Sequence, residues 1–313
     1  MSHSKSSPNR LGMRCACHRI LARRSMYVYR SAGQRCWISL EVAKRMGLNP
    51  NRSELRRIID ALDDHPRIEK TFKDDSRSLV RLVRCGGHAF VIKQYRVEPW
   101  KTWCHHLVRR TPAWREWRYA GVLACAGRRV SLPLALVHRY RFGGWWQTLT
   151  YPYVKGLSLQ LWLGINSSLD PSDPRKVAMR LRMAEAIGRQ LGLIIAAGLI
   201  NRDHKTGNLI VDSACEQEGE EPVIIDPARV KRRWSDRQVY RMLELLWWTT
   251  WRSGDSTQRE RLACLRAVVK ADPSLASKRR HRLRATMHQV NCLFEAHMAR
   301  FNQRHRRLKR SAS

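Results

Sequence analysis

Apolar residues recur at three- and four-residue steps through Val177, Leu181, Ala184, Ile187, Leu191 and Ile194. That spacing predicts an amphipathic helix over 177–197, stopped by Gly198. The rhythm then changes. Leu209-Ile210-Val211 is a short apolar run, 212–222 is acidic and contains a glycine, and Val223-Ile224-Ile225 is apolar again. This reads as a strand, a turn and a returning strand. Upstream, 79–85 and 89–95 are β-type runs around Gly86-Gly87, a hairpin signal. Thr111-Pro112 reads as N-cap and first helical position of a helix reaching about Ala126, with Gly127 as its stop. Residues 148–159 read as a strand, a glycine-containing connector and the start of a helix.

Residues 40–64 predict one or two helices, broken at Gly47-Leu48-Asn49-Pro50. Ser53 is the expected cap of the second, with Leu55, Ile58, Ile59 and Leu62 on its apolar face. A helix over 236–253, capped by Ser235, presents Val239, Met242, Leu243, Leu246 and Trp247. Helices at 257–270 and 281–305 complete the pattern. Trp247, Trp248 and Trp251 suit either a membrane-interface patch or a buried aromatic cluster.

The polar stretch between the long helix and the first short strand carries the chemistry. It reads Asn201-Arg202-Asp203-His204-Lys205-Thr206-Gly207-Asn208, and Asp226 ends the returning strand. Transferring a γ-phosphoryl group requires a nucleotide held still, its charge offset by metal, and an acceptor hydroxyl aimed at phosphorus. Asn208 and Asp226 offer oxygens suited to Mg²⁺. Asp203 suits the role of base toward the hydroxyl, and Lys205 that of a cation beside the transferred group. A hairpin would bring Asn208 and Asp226 together although 18 positions separate them. The plainer reading is a polar loop whose carboxylates cap or solvate. Lys93 stands on the second strand of the upstream hairpin, placed for nucleotide phosphates or, more simply, an edge-strand lysine facing water. Glu116 is the only carboxylate of the 112–126 helix. It is a candidate ion-pair partner for Lys93, or a complement to the helix dipole. A connector at 151–154, with Tyr151 and Tyr153, is placed to present backbone groups to adenine.

These segments together resemble the lipopolysaccharide kinases of Gram-negative bacteria. The carriers are Phe90-Val91-Ile92-Lys93-Gln94-Tyr95, Arg115-Glu116-Trp117, Tyr153-Val154-Lys155-Gly156, Asn201 to Asn208 and Ile224-Ile225-Asp226. The resemblance covers roughly 70–250. It implies a protein-kinase-like α+β fold, with a small antiparallel β lobe and a larger, mainly helical lobe. It further implies ATP and Mg²⁺, a Kdo or heptose sugar hydroxyl as acceptor, and work at the cytoplasmic face of the inner membrane. The expected division is a basic N-terminal extension with short helices at 1–65, the small lobe at 66–150, the large lobe at 151–305 and a basic tail at 306–313.

The chain departs from the family pattern in three places. No Gly-x-Gly-x-x-Gly precedes Lys93. Lys73-Asp74-Asp75-Ser76-Arg77-Ser78 stands there instead, with Ser76 and Arg77 as candidates to bind phosphate. Asn201 replaces the usual His of the catalytic loop. Asp226 is followed by Pro227-Ala228, not Phe-Gly.

Composition narrows the partners. The 313 residues carry a net charge of +34, 43% apolar residues and 12 Trp. Residues 1–35 hold eight Lys/Arg and no carboxylate, and 278–313 hold eleven against only Glu295. Such termini attract polyanions. Acidic lipid or a phosphorylated glycolipid fits the resemblance. Nucleic acid fits the charge but has no motif, and a merely basic, solvated surface is the plain alternative. The longest apolar run, Leu191 to Ile200, is too short to span a bilayer. The N-terminus lacks the apolar core of a signal peptide, and nine scattered cysteines suit reduced thiols, so a cytoplasmic location is expected, peripheral on the inner face of the membrane as the resemblance implies. Cys15-Ala16-Cys17-His18 is half a metal site without a second half. Only ten positions separate Asp226 from the helix at Asp236. That is short for a peptide platform, which weighs against a protein kinase. The alternatives are a kinase on the same fold acting on a protein or another small molecule, and a degenerate kinase-like protein that binds nucleic acid or anionic membrane through its basic termini.

Overall fold

The computed structural model describes residues 26–31, 34–64, 67–76, 78–97, 111–141, 144–166, 173–233, 235–254 and 256–272, with isolated positions between 288 and 299. Arg77, the basic termini, the Cys15-to-His18 segment and nearly all of the expected 281–305 helix lie outside the described residues. The fold is α+β, as the sequence predicts, with an antiparallel sheet and helices. It divides into one unit of Met1–Cys125 with Ser131–Tyr153, and a second of Ala126–Val130 with Val154–Ser313.

The first unit is built on a seven-stranded antiparallel sheet. Its strands are β1 (Met26–Ser31), β2 (Gln34–Ser39), β3 (Arg67–Asp74), β4 (Ser78–Cys85), β5 (His88–Val97), β6 (Ala135–Arg141) and β7 (Gly144–Pro152). Their spatial order is β1-β2-β6-β7-β5-β4-β3. Gly86 and Gly87 turn β4 into β5 at φ +56° and +80°, angles a side chain would resist. Residues 26–39, within the segment read from the sequence as a basic extension with short helices, form two of the sheet's strands. The alternation is short, but Cys36 and Ile38 are fully buried against the core, and β2 finds its partner in β6, about a hundred residues away.

Each face of this sheet buries an apolar layer. On one, Cys36, Ile38, Val83, Phe90, Ile92 and Val137 meet Val42, Leu55, Ile59 and Leu62 of the helices Leu40–Arg45 and Arg52–Asp64. The second helix is entered through Asn51, whose Oδ1 accepts from the Ser53 N–H at 3.0 Å. Asn51 does the work expected of Ser53, which lies inside the first turn. On the other face, Leu136, Leu149 and Tyr151 meet Ala113, Trp114 and Trp117 of the helix Pro112–Cys125. Fully burying one Leu or Ile stabilises by ~1.5–3 kcal/mol, so the two layers carry this unit.

The second unit centres on the helix Pro174–Ala196, capped by Asp173, packed on the helix Gln258–Ala271. The contact is close because Gly188 and Gly192 lie one turn apart on the facing side. A Cβ at Gly188 would overlap the carbonyl oxygen of Cys264, and one at Gly192 would stand 2.6 Å from that of Val268. Arg180 and Glu260 join the same helices through a buried pair, Nε–Oε1 at 2.5 Å and Nη2–Oε2 at 3.0 Å. Glu260 also completes a capping box with Thr257. The helix Asp236–Gly254 buries Val239, Met242, Leu243, Leu246, Trp247 and Trp248, so those two tryptophans belong to the core. No described helix is long and apolar enough to cross a membrane.

Candidate functional site

In the second unit, the strand β9 (Leu199–Asn201) leads out of the long helix into the polar loop. A 3₁₀ turn at Thr206–Asn208 leads into β10 (Leu209–Val211), and β11 (Val223–Ile224) returns antiparallel to it. The hairpin expected from the sequence is present. Leu209 pairs with Ile224, and the Ile225 N–H donates to the Asn208 carbonyl at 2.9 Å, which sets Asp226 one residue beyond Asn208's partner. Residues 212–222 are more than a turn. Asp212 caps a six-residue helix, Ser213–Glu218, and Gly219 ends it at φ +68°. So short a helix shows no periodicity, which is why the sequence reads as a loop.

The hairpin is braced from the segment 126–130. Val130 bridges Ile224, and the Ile224 N–H donates to the Arg129 carbonyl at 2.9 Å. The Arg129 guanidinium meets Asp212 Oδ2 at 2.7 Å and the Glu221 carbonyl at 2.7 Å, while Arg128 pairs with the Glu221 carboxylate at 2.6 Å. Burial works against the charge on Asp212. Hydrogen bonds from Arg129 and Cys215 outweigh it and hold its carboxyl below the usual range. Strand β8 (Leu157–Ser158) adds to the other side of β10, and Gly156 has no room for a Cβ against the Val211 carbonyl. These braces were not foreseen. A lone Arg-Arg pair after a helix carries no signal of its distant partners.

The loop brings three predicted residues together. The Asn208 Nδ2 donates to the Asp203 carbonyl at 2.9 Å and to its carboxylate at 3.2 Å. Lys205 Nζ stands 3.3 Å from the same carboxylate. Asn201, where the family pattern has His, is fully buried, and its Oδ1 accepts the Asp203 N–H at 3.1 Å. The backbone that carries Asp203 is thus held without a histidine. His204 between them is fully buried, and burial pushes its pKa down to about 4, so the ring is neutral. Its side chain serves as packing.

Asp226 is the one non-glycine residue at positive φ among those described, at φ 55° and ψ 58°. Such outliers gather at functional sites. The 3₁₀ turn Pro227–Arg229 and β12 (Val230–Arg232) follow. β12 pairs with β9, with Val230 opposite Asn201, so the chain after Asp226 returns beside the entry to the loop. The donor set fits Mg²⁺. It offers one carboxylate and one amide oxygen, since Asn208 turns its NH₂ toward Asp203, and Mg²⁺ takes few protein ligands beside phosphates and water.

In the first unit, Lys93 projects from β5 and Glu116 from the helix Pro112–Cys125. Their ion pair measures 2.9 Å, with Glu116 only 1% exposed. Tyr151 lies on β7, and its hydroxyl donates to Glu116 Oε1 at 2.7 Å. Tyr95 donates its hydroxyl to Glu116 Oε2. Tyr151 was expected in a connector and Tyr95 was not singled out. Tyr153 is exposed, and its N–H donates to the Ala89 carbonyl at 3.0 Å, so that group is already used. Ser76 sits in an exposed bend between β3 and β4. There Asp75 accepts the Ser78 N–H at 2.7 Å and pairs with Lys73 at 2.8 Å. The bend is stitched by Asp75, a residue the sequence reading passed over.

No protein-family model matches this chain, and no curated protein matches it. Among solved structures it is similar to one described as WaaP in complex with acyl carrier protein. The identity is 17% and the TM-score 0.49, over 81% of this chain and 97% of that one.

Proposed function

We propose that this chain transfers the γ-phosphoryl group of ATP to a sugar hydroxyl of a lipopolysaccharide inner core, Kdo or heptose, or of a related glycolipid. The observation that carries the reading is the convergence of Asp203, Lys205 and Asn208 within hydrogen-bond reach of one another, with Asp226 delivered to the end of the same hairpin. A polar loop that merely solvates does not need a non-glycine residue at positive φ where its carboxylate enters.

In this reading the Asp203 carboxylate accepts the proton of the acceptor hydroxyl as its oxygen bonds to phosphorus and the bond to the β-phosphate oxygen breaks, releasing ADP. Lys205, beside Asp203, offsets charge on the transferred group. Lys93, oriented by Glu116, contacts the α- and β-phosphates. Asn208 and Asp226 would hold Mg²⁺, which supplies charge neutralisation at the phosphates. The basic composition suits an anionic glycolipid acceptor presented at the cytoplasmic surface of a membrane, with the chain bound peripherally. The experiment is phosphate transfer from γ-labelled ATP to Kdo- and heptose-bearing lipid acceptors, run beside peptide and free-sugar controls. Label in the glycolipid, lost in Asp203→Asn, supports the assignment. Label confined to peptide, or label that survives Asp203→Asn, overturns it.

A further inference from the structure

Glu116 is held by more than its lysine. Its carboxylate is buried at 1% exposure and receives Lys93 Nζ and the Tyr95 hydroxyl on Oε2, and the Tyr151 hydroxyl on Oε1 at 2.7 Å. The register explains how. Val91, Lys93 and Tyr95 share one face of β5, and Tyr151 on β7 pairs with Val91, so all three donors rise from the same side of the sheet toward one helix. Lys93 Nζ also sits 5.2 Å from the centre of the Tyr95 ring. A buried carboxylate is costly unless its lone pairs are met by donors, and charge-assisted hydrogen bonds are the strong ones. If the helix swung Glu116 away, two phenols and an ammonium would lose a shared acceptor together.

We propose that Tyr95 and Tyr151 are positioning residues that keep Glu116 in its ion pair with Lys93 in the absence of nucleotide, so the phosphate clamp is permanently assembled. This rests on the reading of Lys93 as the nucleotide clamp. The geometry itself does not depend on catalysis.

The test uses Tyr95→Phe, Tyr151→Phe and the double variant in the full chain, since Phe keeps the ring and removes only the hydroxyl. The first readout needs no activity. It is the rate at which acetic anhydride modifies Lys93 without nucleotide, normalised to Lys155 and followed by mass spectrometry. Lys93, 14% exposed in its side chain, is expected to react several-fold faster in the double variant, with each single variant between. The second readout is the kinetic split. KM for MgATP is expected to rise about tenfold per hydroxyl removed, more than kcat falls, as for the loss of a hydrogen bond to a charged group. Folded variants with wild-type Lys93 reactivity would overturn the clamp, whatever the chain phosphorylates. Faster Lys93 modification in a chain that phosphorylates no acceptor would uphold the clamp and defeat the kinase reading. If the double variant does not fold, the single variants decide.

Discussion

Asn208 donates its side-chain amide to both the backbone carbonyl and the carboxylate of Asp203, at 2.9 and 3.2 Å. One residue therefore fixes the orientation of the proposed base and leaves its own amide oxygen for a metal. Asp203→Asn keeps the side chain's shape but removes its capacity to take a proton. Its kcat is expected to fall by about 10²–10⁴, with MgATP binding near normal. Asn208→Ala should lose both transfer and Mg²⁺-dependent nucleotide binding. Steady-state rates with parallel nucleotide titrations separate the two, and equal behaviour of the variants would contradict the division of roles.

Asp226 sits in the left-handed region, which costs a non-glycine residue about 1–2 kcal/mol. Asp226→Gly should relieve that strain while deleting the carboxylate. Its melting temperature is expected to equal or exceed that of the wild type, with transfer abolished. A variant that unfolds earlier and keeps its activity would show that Asp226 is structural.

Gly188→Ala should destabilise strongly, because its Cβ would meet the backbone of Cys264 with no flexible group to yield. Overpacking of this kind costs roughly 1–3 kcal/mol. Gly207→Ala meets only Gln160 Oε1, at 3.5 Å, so it should leave the melting temperature nearly unchanged. Denaturant unfolding of the two variants checks the contrast.

His204 is neutral in the folded state, with a pKa near 4 caused by burial, against an ordinary value of 6.5. Between those values the unfolded chain binds the extra proton. Stability from this site is therefore complete above pH 6.5 and drains as pH falls toward 4, by up to about 1.4 kcal/mol per unit. His204→Leu should flatten the fall of melting temperature between pH 7 and 4.5. An unchanged slope would mean that His204 is charged or solvated in the fold.

The elements most legible in the sequence are those whose cause is local. The helix through Val177 and Leu191, the Gly86-Gly87 hairpin and the Thr111-Pro112 helix start each follow from a few adjacent residues. Asp203, Lys205, Asn208 and Asp226 stand out in the sequence by their spacing, and the hairpin predicted to carry the last two is present. What escaped depends on distant partners. Strands β1 and β2 owe their burial to β6, and the Arg129–Asp212 brace spans 83 positions. Tyr95 resembles any aromatic residue on a strand until Glu116 is placed above it. Asn201 departs from the histidine of the resembled pattern, and only the structure shows its carboxamide oxygen accepting the Asp203 N–H.

The central claim is a metal-dependent nucleotide site ending at Asp226. Thermal unfolding of the wild type and Asp226→Asn with ATP, in Mg²⁺ and then in EDTA at moderate salt, tests it most directly. The account predicts stabilisation of the wild type by ATP that requires Mg²⁺ and is lost in Asp226→Asn. Equal shifts in Mg²⁺ and EDTA, or equal shifts in the two proteins, would mean that ATP is held only by the basic surface, and would contradict it.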